Sequence, residues 1–143
     1  LSGAWKVSAV TLDVAAKRVE VEIGFDLSKS MECPECGEQC AHYDHREMRE
    51  WRHLDTMQFE TILRCELPRS NCPEHGVKTL RVPWAGKGSR FTLLFESFAI
   101  DVLRACSSVK AAAELMGLNW HQVNQIKRRA VARAWKRGHF VKS

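Results

Sequence analysis

Two short turns constrain the fold of this chain more than any other feature. Residues 33–37 read Cys-Pro-Glu-Cys-Gly and residues 72–76 read Cys-Pro-Glu-His-Gly, so one five-residue pattern occurs twice. Proline stiffens such a turn, and glycine can adopt the positive φ that lets backbone amides face the thiolates. A tetrahedral zinc ion needs four sulfur or nitrogen ligands, which two separate two-ligand turns can supply. The spacing therefore predicts a structural Zn²⁺ site with the ligands Cys33, Cys36, Cys72 and His75.

The remaining cysteines and histidines leave one alternative open. A rival local set would join Cys40 and His42 to the first turn, although it leaves the second turn unexplained. Cys65 lies on the apolar face of an alternating segment and is expected to pack as a small hydrophobe, and His45 and His53 are expected at the surface or in hydrogen bonds. A catalytic zinc ion is disfavoured because four protein ligands leave no open position for water.

The part of the chain around these turns has the period-two pattern of β-strands. Between positions 19 and 25 apolar residues alternate with mainly charged ones, and one face of residues 59–67, namely Phe59, Thr61, Leu63, Cys65 and Leu67, alternates with Glu60, Ile62, Arg64 and Glu66, as in strands with one wet face. Residues 42–50 are highly charged and show no decisive period. The predicted strands cover residues 7–12, 19–25, 51–54, 59–67 and 77–82. Hairpins that end in metal-binding turns predict a zinc-ribbon-like β domain.

A segment with one proline and two glycines, residues 83–89, separates this pattern from a helical one. Beyond it, apolar residues recur with a period of 3.6, namely Phe91, Leu94, Phe95, Phe98, Val102 and Leu103. The fold class expected is α+β, a small zinc-ribbon-like β domain at residues 1–85 followed by a three-helix helix-turn-helix domain at residues 86–143.

The last third of the chain has the signature of a helix-turn-helix. A short helix at residues 109–116 is followed by a turn at Gly117 and a longer helix from Trp120, which Asn119 and Gln122 can cap reciprocally. A helix-turn-helix requires a small residue at the crossing of the helices and apolar residues behind the turn. These positions are occupied by Ala113, Leu118, Val123 and Ile126.

Charge is distributed unevenly along the chain. The net charge is +5, but residues 107–143 carry eight Lys or Arg against the single acid Glu114, whereas the first 106 residues carry 14 basic and 16 acidic residues. This asymmetry indicates a polyanion as partner of the C-terminal part. Base reading in the major groove is predicted for His121, Asn124, Gln125 and Arg128, phosphate contact for Arg129, Arg133, Lys136 and Arg137, and a place at the start of the DNA-binding helix for Asn119 and Trp120.

Both motifs together resemble the N-terminal region of insertion-sequence transposases of the ISL-three family. The resemblance is carried by Cys33-Pro-Glu-Cys-Gly37, Trp51-Arg-His-Leu-Asp55, Cys72-Pro-Glu-His-Gly-Val77, Val82-Pro-Trp-Ala85, Ser89-Arg-Phe-Thr92 and the Ala113–Val123 turn. It implies binding of double-stranded DNA at terminal inverted repeats. In such transposases a downstream, DDE-type domain with three carboxylates and Mg²⁺ cuts and joins the DNA. That domain has no counterpart here, so the chain itself is not expected to be an enzyme.

Several further expectations complete this interpretation. The chain has neither a signal peptide nor an apolar run long enough to cross a bilayer, which predicts a bacterial cytoplasmic protein without a membrane partner. The first residue is not Met, which suggests a piece of a longer protein. A homodimer is a possible assembly. A free-standing zinc-containing helix-turn-helix transcription regulator is the alternative function.

Overall fold

A computed structural model of the chain describes residues 3–136, and within these residues it contains a six-stranded β-sheet and three helices. Strands β1–β6 cover Trp5–Asp13, Arg18–Phe25, Met31–Glu32, Gln39–Thr56, Phe59–Cys72 and Gly76–Thr79, and helices α1–α3 cover Leu93–Ala105, Val109–Met116 and Trp120–Lys136. The α+β class is therefore confirmed. The chain divides into two compact units, a β unit that ends at Thr92 and a helical unit that begins at Leu93.

The β unit is one sheet rather than separate hairpins. Its strand order is β1-β2-β5-β4-β3, and β6 pairs with β5 off this path. Strands β1 and β2 form the predicted antiparallel hairpin, and β4 and β5 form a second, longer one. Strand β2 runs parallel to residues 60–64 of β5, whereas β6 runs antiparallel to residues 69–72 of the same strand. The parallel pairing joins segments far apart in the chain and has no local sequence signal.

The charged stretch at residues 42–50, whose sequence indicates neither helix nor strand, is part of strand β4. Register shifts between β4 and β5 occur at His42/Asp44, at His45/Met48 and at His53/Thr56. Each such bulge inserts a residue and moves the following side chains to the other face. The shifts therefore hide the period of two.

Tryptophan and cysteine side chains form much of the core of the β unit. Trp51 and Cys65 are almost fully buried and pack with Leu67. Trp84 contacts both Trp51 and Trp5 edge to face, with ring centroids 5.3 and 5.2 Å apart. The predicted packing role of Cys65 is confirmed, and burial raises the pKa of its thiol to about 11, which keeps it neutral.

Residues 90–92, which follow the predicted domain boundary at residue 85, form hydrogen bonds with strand β4. The backbone amide of Arg52 donates to the carbonyl of Arg90, and the amide of Thr92 donates to the carbonyl of Arg52, each over 2.9 Å. These bonds attach residues 90–92 to β4. The boundary after Ala85 itself stays a prediction.

The helical unit has its own core. The buried side chains are those of Phe95, Glu96, Ala99, Ala112, Met116, Leu118, Val123 and Ile126. Ala112 is fully buried and Ala113 is half-buried, and the place of Ala113 at the crossing of the helices stays a prediction. Leu94 and Phe98, assigned to the apolar period of α1, are 61% and 47% exposed. No helix in the described part of the chain has the length and apolar character needed to span a membrane.

Candidate metal centre and nucleic-acid interface

The first cysteine turn is a tight loop between β3 and β4. The amide of Cys33 donates to the carbonyl of Glu38 over 2.9 Å, and the amide of Gly37 donates to the carbonyl of Cys33 over 2.8 Å. Gly37 has a φ of 78°, which explains why this position is glycine. The amide of Glu35 points at the sulfur of Cys33 over 3.4 Å. The turn thus orients a backbone donor toward a thiolate, as the sequence predicts.

The second turn repeats this arrangement between β5 and β6. Gly76 has a φ of 74° and pairs with Cys72 across the strands. Backbone amides of His75 and Glu74 lower the pKa of the Cys72 thiol below its ordinary value, against an opposing effect of burial. Thiolate is the form that binds metal, so this turn also favours a ligand.

The four predicted ligands come together in space. The Sγ atoms of Cys33, Cys36 and Cys72 and a ring nitrogen of His75 all lie within 4.8 Å of one another. The Sγ atoms of Cys36 and Cys72 are 3.8 Å apart, and Nδ1 of His75 lies 3.6 Å from the sulfur of Cys72 and 3.8 Å from that of Cys33. Ligand atoms bound tetrahedrally at about 2.3 Å would be roughly 3.8 Å apart. The donor set and its spacing therefore fit a zinc ion.

The electrostatics of this Cys3His cluster also fit a divalent cation. The Glu38 amide lowers the pKa of Cys36, but burial and the neighbouring thiols of Cys72 and Cys33 outweigh it and raise the pKa to about 11. Burial disfavours the charged thiolate, and the hydrogen bonds and repulsion of the neighbouring thiol groups disfavour it further. A bound Zn²⁺ would remove the repulsion and keep all three sulfurs ionised.

The rival ligands are not among the four clustered residues. Cys40 lies in β4 and donates to the carbonyl of Glu38 over 3.2 Å. The ring nitrogens of His42 and His45 face each other at 3.2 Å, and His53 lies 2.7 Å from the hydroxyl of Thr92. The structure thus assembles the two-turn set and not the local one.

The helix-turn-helix also forms as predicted. Helix α2 ends at Gly117, whose φ of 68° and ψ of 34° are left-handed and whose amide satisfies carbonyls of α2. The amide of Gln122 donates to Asn119 Oδ1 over 2.8 Å, and the amide of Asn119 donates to Gln122 Oε1 over 3.0 Å. This reciprocal cap fixes the start of α3. Asn119 therefore has a capping role.

The first turns of α3 present an accessible polar face. His121 and Arg128 are exposed, Asn124 and Gln125 are half-buried, and Trp120 is 70% exposed. Trp120, which the sequence could place inside or outside, points outward. The interface predicted for base reading is open to a ligand.

The sequence assigned Arg129 and Arg133 to phosphates, but the structure engages both with Glu96. Arg129 Nε lies 3.3 Å from one carboxylate oxygen of Glu96, and Arg133 Nη1 lies 3.0 Å from the other. Glu96 is fully buried in α1, so the pairs join α1 to α3. Lys136 is exposed and remains available, whereas Arg137 lies outside the described residues. The sequence signal that could have predicted these pairs is Glu96, an acidic residue among the apolar residues of α1.

Comparison with known families matches both motifs separately. Residues 29–75 match the zinc-finger of transposase IS204/IS1001/IS1096/IS1165, and residues 80–131 match the helix-turn-helix domain of transposase family ISL3. The chain carries the zinc-finger and helix-turn-helix domains of the ISL3 transposase family. The first match contains all four clustered ligands, and the second contains α2 and the first turns of α3.

Curated relatives of these ISL3 domains are transposases. The chain is 38% identical over 104 residues to the transposase for insertion sequence element IS1557 of Mycobacterium tuberculosis, in the strains CDC 1551 / Oshkosh and H37Rv. The aligned region covers 72% of this chain and 22% of each relative, so the chain spans less than a quarter of their length. No solved structure matches the chain.

Proposed function

We propose that this chain is the DNA-binding region of a transposase and recognises the terminal inverted repeats of its insertion sequence. The observation that carries the proposal is the exposed polar face of α3. The left-handed turn at Gly117 and the reciprocal cap of Asn119 and Gln122 fix the start of this helix directly after α2. A helix of this kind enters the major groove with its N-terminal residues at the base edges.

The residues of α3 have different roles in this proposal. Arg128 can bind guanine bidentately, and Asn124 and Gln125 can bind adenine. His121 and Trp120 lie at the same end of the helix and complete the contact. Lys136, and by sequence Arg137, contribute phosphate contacts that add affinity without sequence information.

The Cys3His cluster has a structural role in this proposal. Cys33, Cys36, Cys72 and His75 would hold Zn²⁺ and tie the β3–β4 turn to the β5–β6 turn. Four protein ligands fill a tetrahedral site and leave no position for a substrate. We infer that DNA cleavage and joining, by DDE-type chemistry with Mg²⁺, belong to a part of the transposase outside this chain. A chromosomal target would place the protein in the bacterial cytoplasm.

Selection of bound duplexes from a random pool tests the proposal. The selected sequences should match the ends of a mobile element, and two half-sites about 10 base pairs apart would indicate binding by a homodimer. Selected sequences that occur in promoters instead would favour a free-standing transcription regulator. A pool without any enriched sequence would contradict sequence-specific recognition by α3.

Two substitutions in α3 separate base reading from phosphate contact. Arg128→Ala should cost about 1–3 kcal/mol on the selected duplex and relax the preference at one base pair. Lys136→Ala, the matched loss of one exposed charge on the same helix, should weaken all duplexes alike. Fluorescence anisotropy with the selected duplex and its single-base variants measures both effects. An equal loss on every duplex for Arg128→Ala would show that the reading face is assigned wrongly.

A further inference from the structure

The β unit has a cluster of basic side chains along two adjoining concave surfaces. Both concavities are lined by Arg46, Arg49 and Leu67. Arg90 lines the first, and Lys78, Arg81 and Lys87 line the second. These six cations, Arg46, Arg49, Lys78, Arg81, Lys87 and Arg90, are called the basic surface.

The cations of the basic surface form no salt bridges with carboxylates within residues 3–136, unlike the other arginines of the β unit. Arg18 and Arg64 pair with Glu20 and Glu50, Arg52 pairs with Asp55, and Arg69 pairs with Asp44. Among residues 3–136, by contrast, no carboxylate forms a salt bridge with any cation of the basic surface. Three glutamates, Glu35, Glu47 and Glu50, also line the concavities, but the six cations outnumber them and leave a local excess of positive charge.

Arg49 shows that part of this surface is pre-organised. Its guanidinium lies 5.1 Å from the ring centroid of buried Trp51 and donates to the carbonyl of Ser89 over 3.0 Å. Burial and the positive charges of Arg90 and Arg46 lower its pKa from the ordinary arginine value. The fold therefore holds like charges together, and an anionic ligand would relieve their repulsion.

The metal centre lies next to the basic surface in the fold. Pro34 and Glu35 of the first cysteine turn line the second concavity. Lys78 is in β6, the strand that leaves the second turn, and Arg81 follows shortly after. The two cysteine turns therefore help to position the backbone that carries Lys78 and Arg81.

We propose that the basic surface binds the phosphodiester backbone of duplex DNA, as a second contact of the chain beside α3. Arginine and lysine along a concave wall match closely spaced phosphates, and such contacts contribute affinity that is independent of sequence. The net charge of the first 106 residues conceals this surface, because acidic residues that do not pair with these cations cancel their charge in the sum. The inference rests on the proposed function in that DNA is the ligand.

The test compares two triple variants of the whole chain with equal charge loss. The surface variant is Arg46→Gln, Lys87→Gln, Arg90→Gln, all at exposed positions. The control variant is Lys6→Gln, Lys17→Gln, Lys29→Gln, three exposed lysines that line neither concavity. Arg49 is left in place because its packing on Trp51 supports the fold. Equal melting temperatures verify that both variants fold.

The measurement is the dissociation constant for a random-sequence duplex between about 50 and 200 mM salt. The surface variant should lower the magnitude of the log–log salt slope by about 2–3 and weaken binding at least about tenfold at low salt, because each lost phosphate contact removes about 0.9 from the slope. The control variant should shift the slope much less. An additional variant, Arg46→Lys with Arg90→Lys, keeps the charges and should bind like the unmodified chain.

The outcomes separate this inference from the proposed function. Equal salt slopes for the surface and control variants would overturn the second contact, whatever α3 does. The ratio of affinities for selected and random duplexes reports on α3, and the surface variant should leave that ratio unchanged. A changed ratio with an unchanged slope would also overturn the inference. If the unmodified chain bound no duplex, both proposals would fail.

Discussion

At the scale of single residues, pairing decides which charges of the helical unit are available to a ligand. The basic C-terminal segment supplies Arg128, Arg129 and Arg133 within one helix, yet two of these three arginines bind the buried carboxylate of Glu96. A buried acid is stable only with partners that satisfy its oxygens. The Glu96 pairs therefore fix α3 on α1, and they direct the DNA proposal to Arg128.

Glu96→Gln should destabilise the helical unit by about 1–3 kcal/mol, because it removes the charge that Arg129 and Arg133 surround while it keeps the side-chain shape. The cost is moderate because both guanidinium groups are about one-third exposed and can reach water. Urea unfolding followed by helical circular dichroism measures it. Glu114→Gln, at an exposed position of α2, is the matched control and should change stability little. An equal effect of the two substitutions would mean that the Glu96 pairs contribute nothing to stability.

The spacing of residues in the sequence predicts metal ligands within a turn, but it does not predict ion pairs between separate helices. The ligand set followed from two copies of one turn pattern, because turn geometry fixes the separation of residues three apart. The partner of Arg129 could not be predicted in this way, since Glu96 lies in another helix and only packing brings the two together. The exposure of Leu94 and Phe98 could not be predicted for the same reason. Packing within the helical unit decides which of the apolar residues of α1 are buried, and these two are not.

At the scale of elements, the motifs that depend on local backbone geometry were predictable and the long strands were only partly so. Helix α2, its glycine turn and the start of α3 fall where the caps indicate. Strand β4 could be predicted only near its C-terminal end, because two register shifts against β5, at His42/Asp44 and at His45/Met48, break the alternation before residue 51. Alternation of apolar and polar residues therefore does not predict a strand that contains β-bulges.

Gly117→Ala should destabilise the helical unit by about 1–2 kcal/mol, because a β-carbon is unfavourable at a φ of 68°. Gly117→Asn should cost less, since asparagine tolerates the left-handed region better than alanine. Thermal unfolding of the two variants measures the difference. The DNA proposal adds that both should retain the base preference of α3 when folded. Equal losses for alanine and asparagine would show that the side chain, and not the backbone conformation, limits this position.

At the scale of the whole molecule, the four candidate metal ligands and the tryptophan core lie in different parts of the β unit. The core joins β2, β4 and β5 through residues such as Trp51 and Cys65, whereas the ligands lie in the turns at β3–β4 and β5–β6. The parallel pairing of β2 with β5 could not be predicted from local sequence, because it depends on long-range packing. Loss of metal should therefore loosen the two cysteine turns and leave the core around Trp51 and Cys65 folded.

Removal of the metal by a chelator should expose the backbone amides of the two turns to hydrogen exchange, because structural zinc contributes directly to folding. The amides of Cys33 and Gly37, bonded within the first turn, should lose protection. The amides of α2 and α3 should keep theirs, since no ligand of the cluster lies in the helical unit. Uniform loss of protection along the chain would contradict this separation.

Two cysteine substitutions identify the ligands behind this effect. Cys72→Ser should abolish one equivalent of bound zinc, measured by elemental analysis of the purified chain, and should reproduce the exchange pattern of the chelated protein. Cys40→Ser should retain the zinc, because Cys40 donates to a backbone carbonyl and lies outside the set of four. Loss of zinc from Cys40→Ser with retention in Cys72→Ser would establish the local ligand set instead. Because Lys78 and Arg81 follow the second turn, Cys72→Ser should also weaken binding to random duplexes, whereas Cys40→Ser should not.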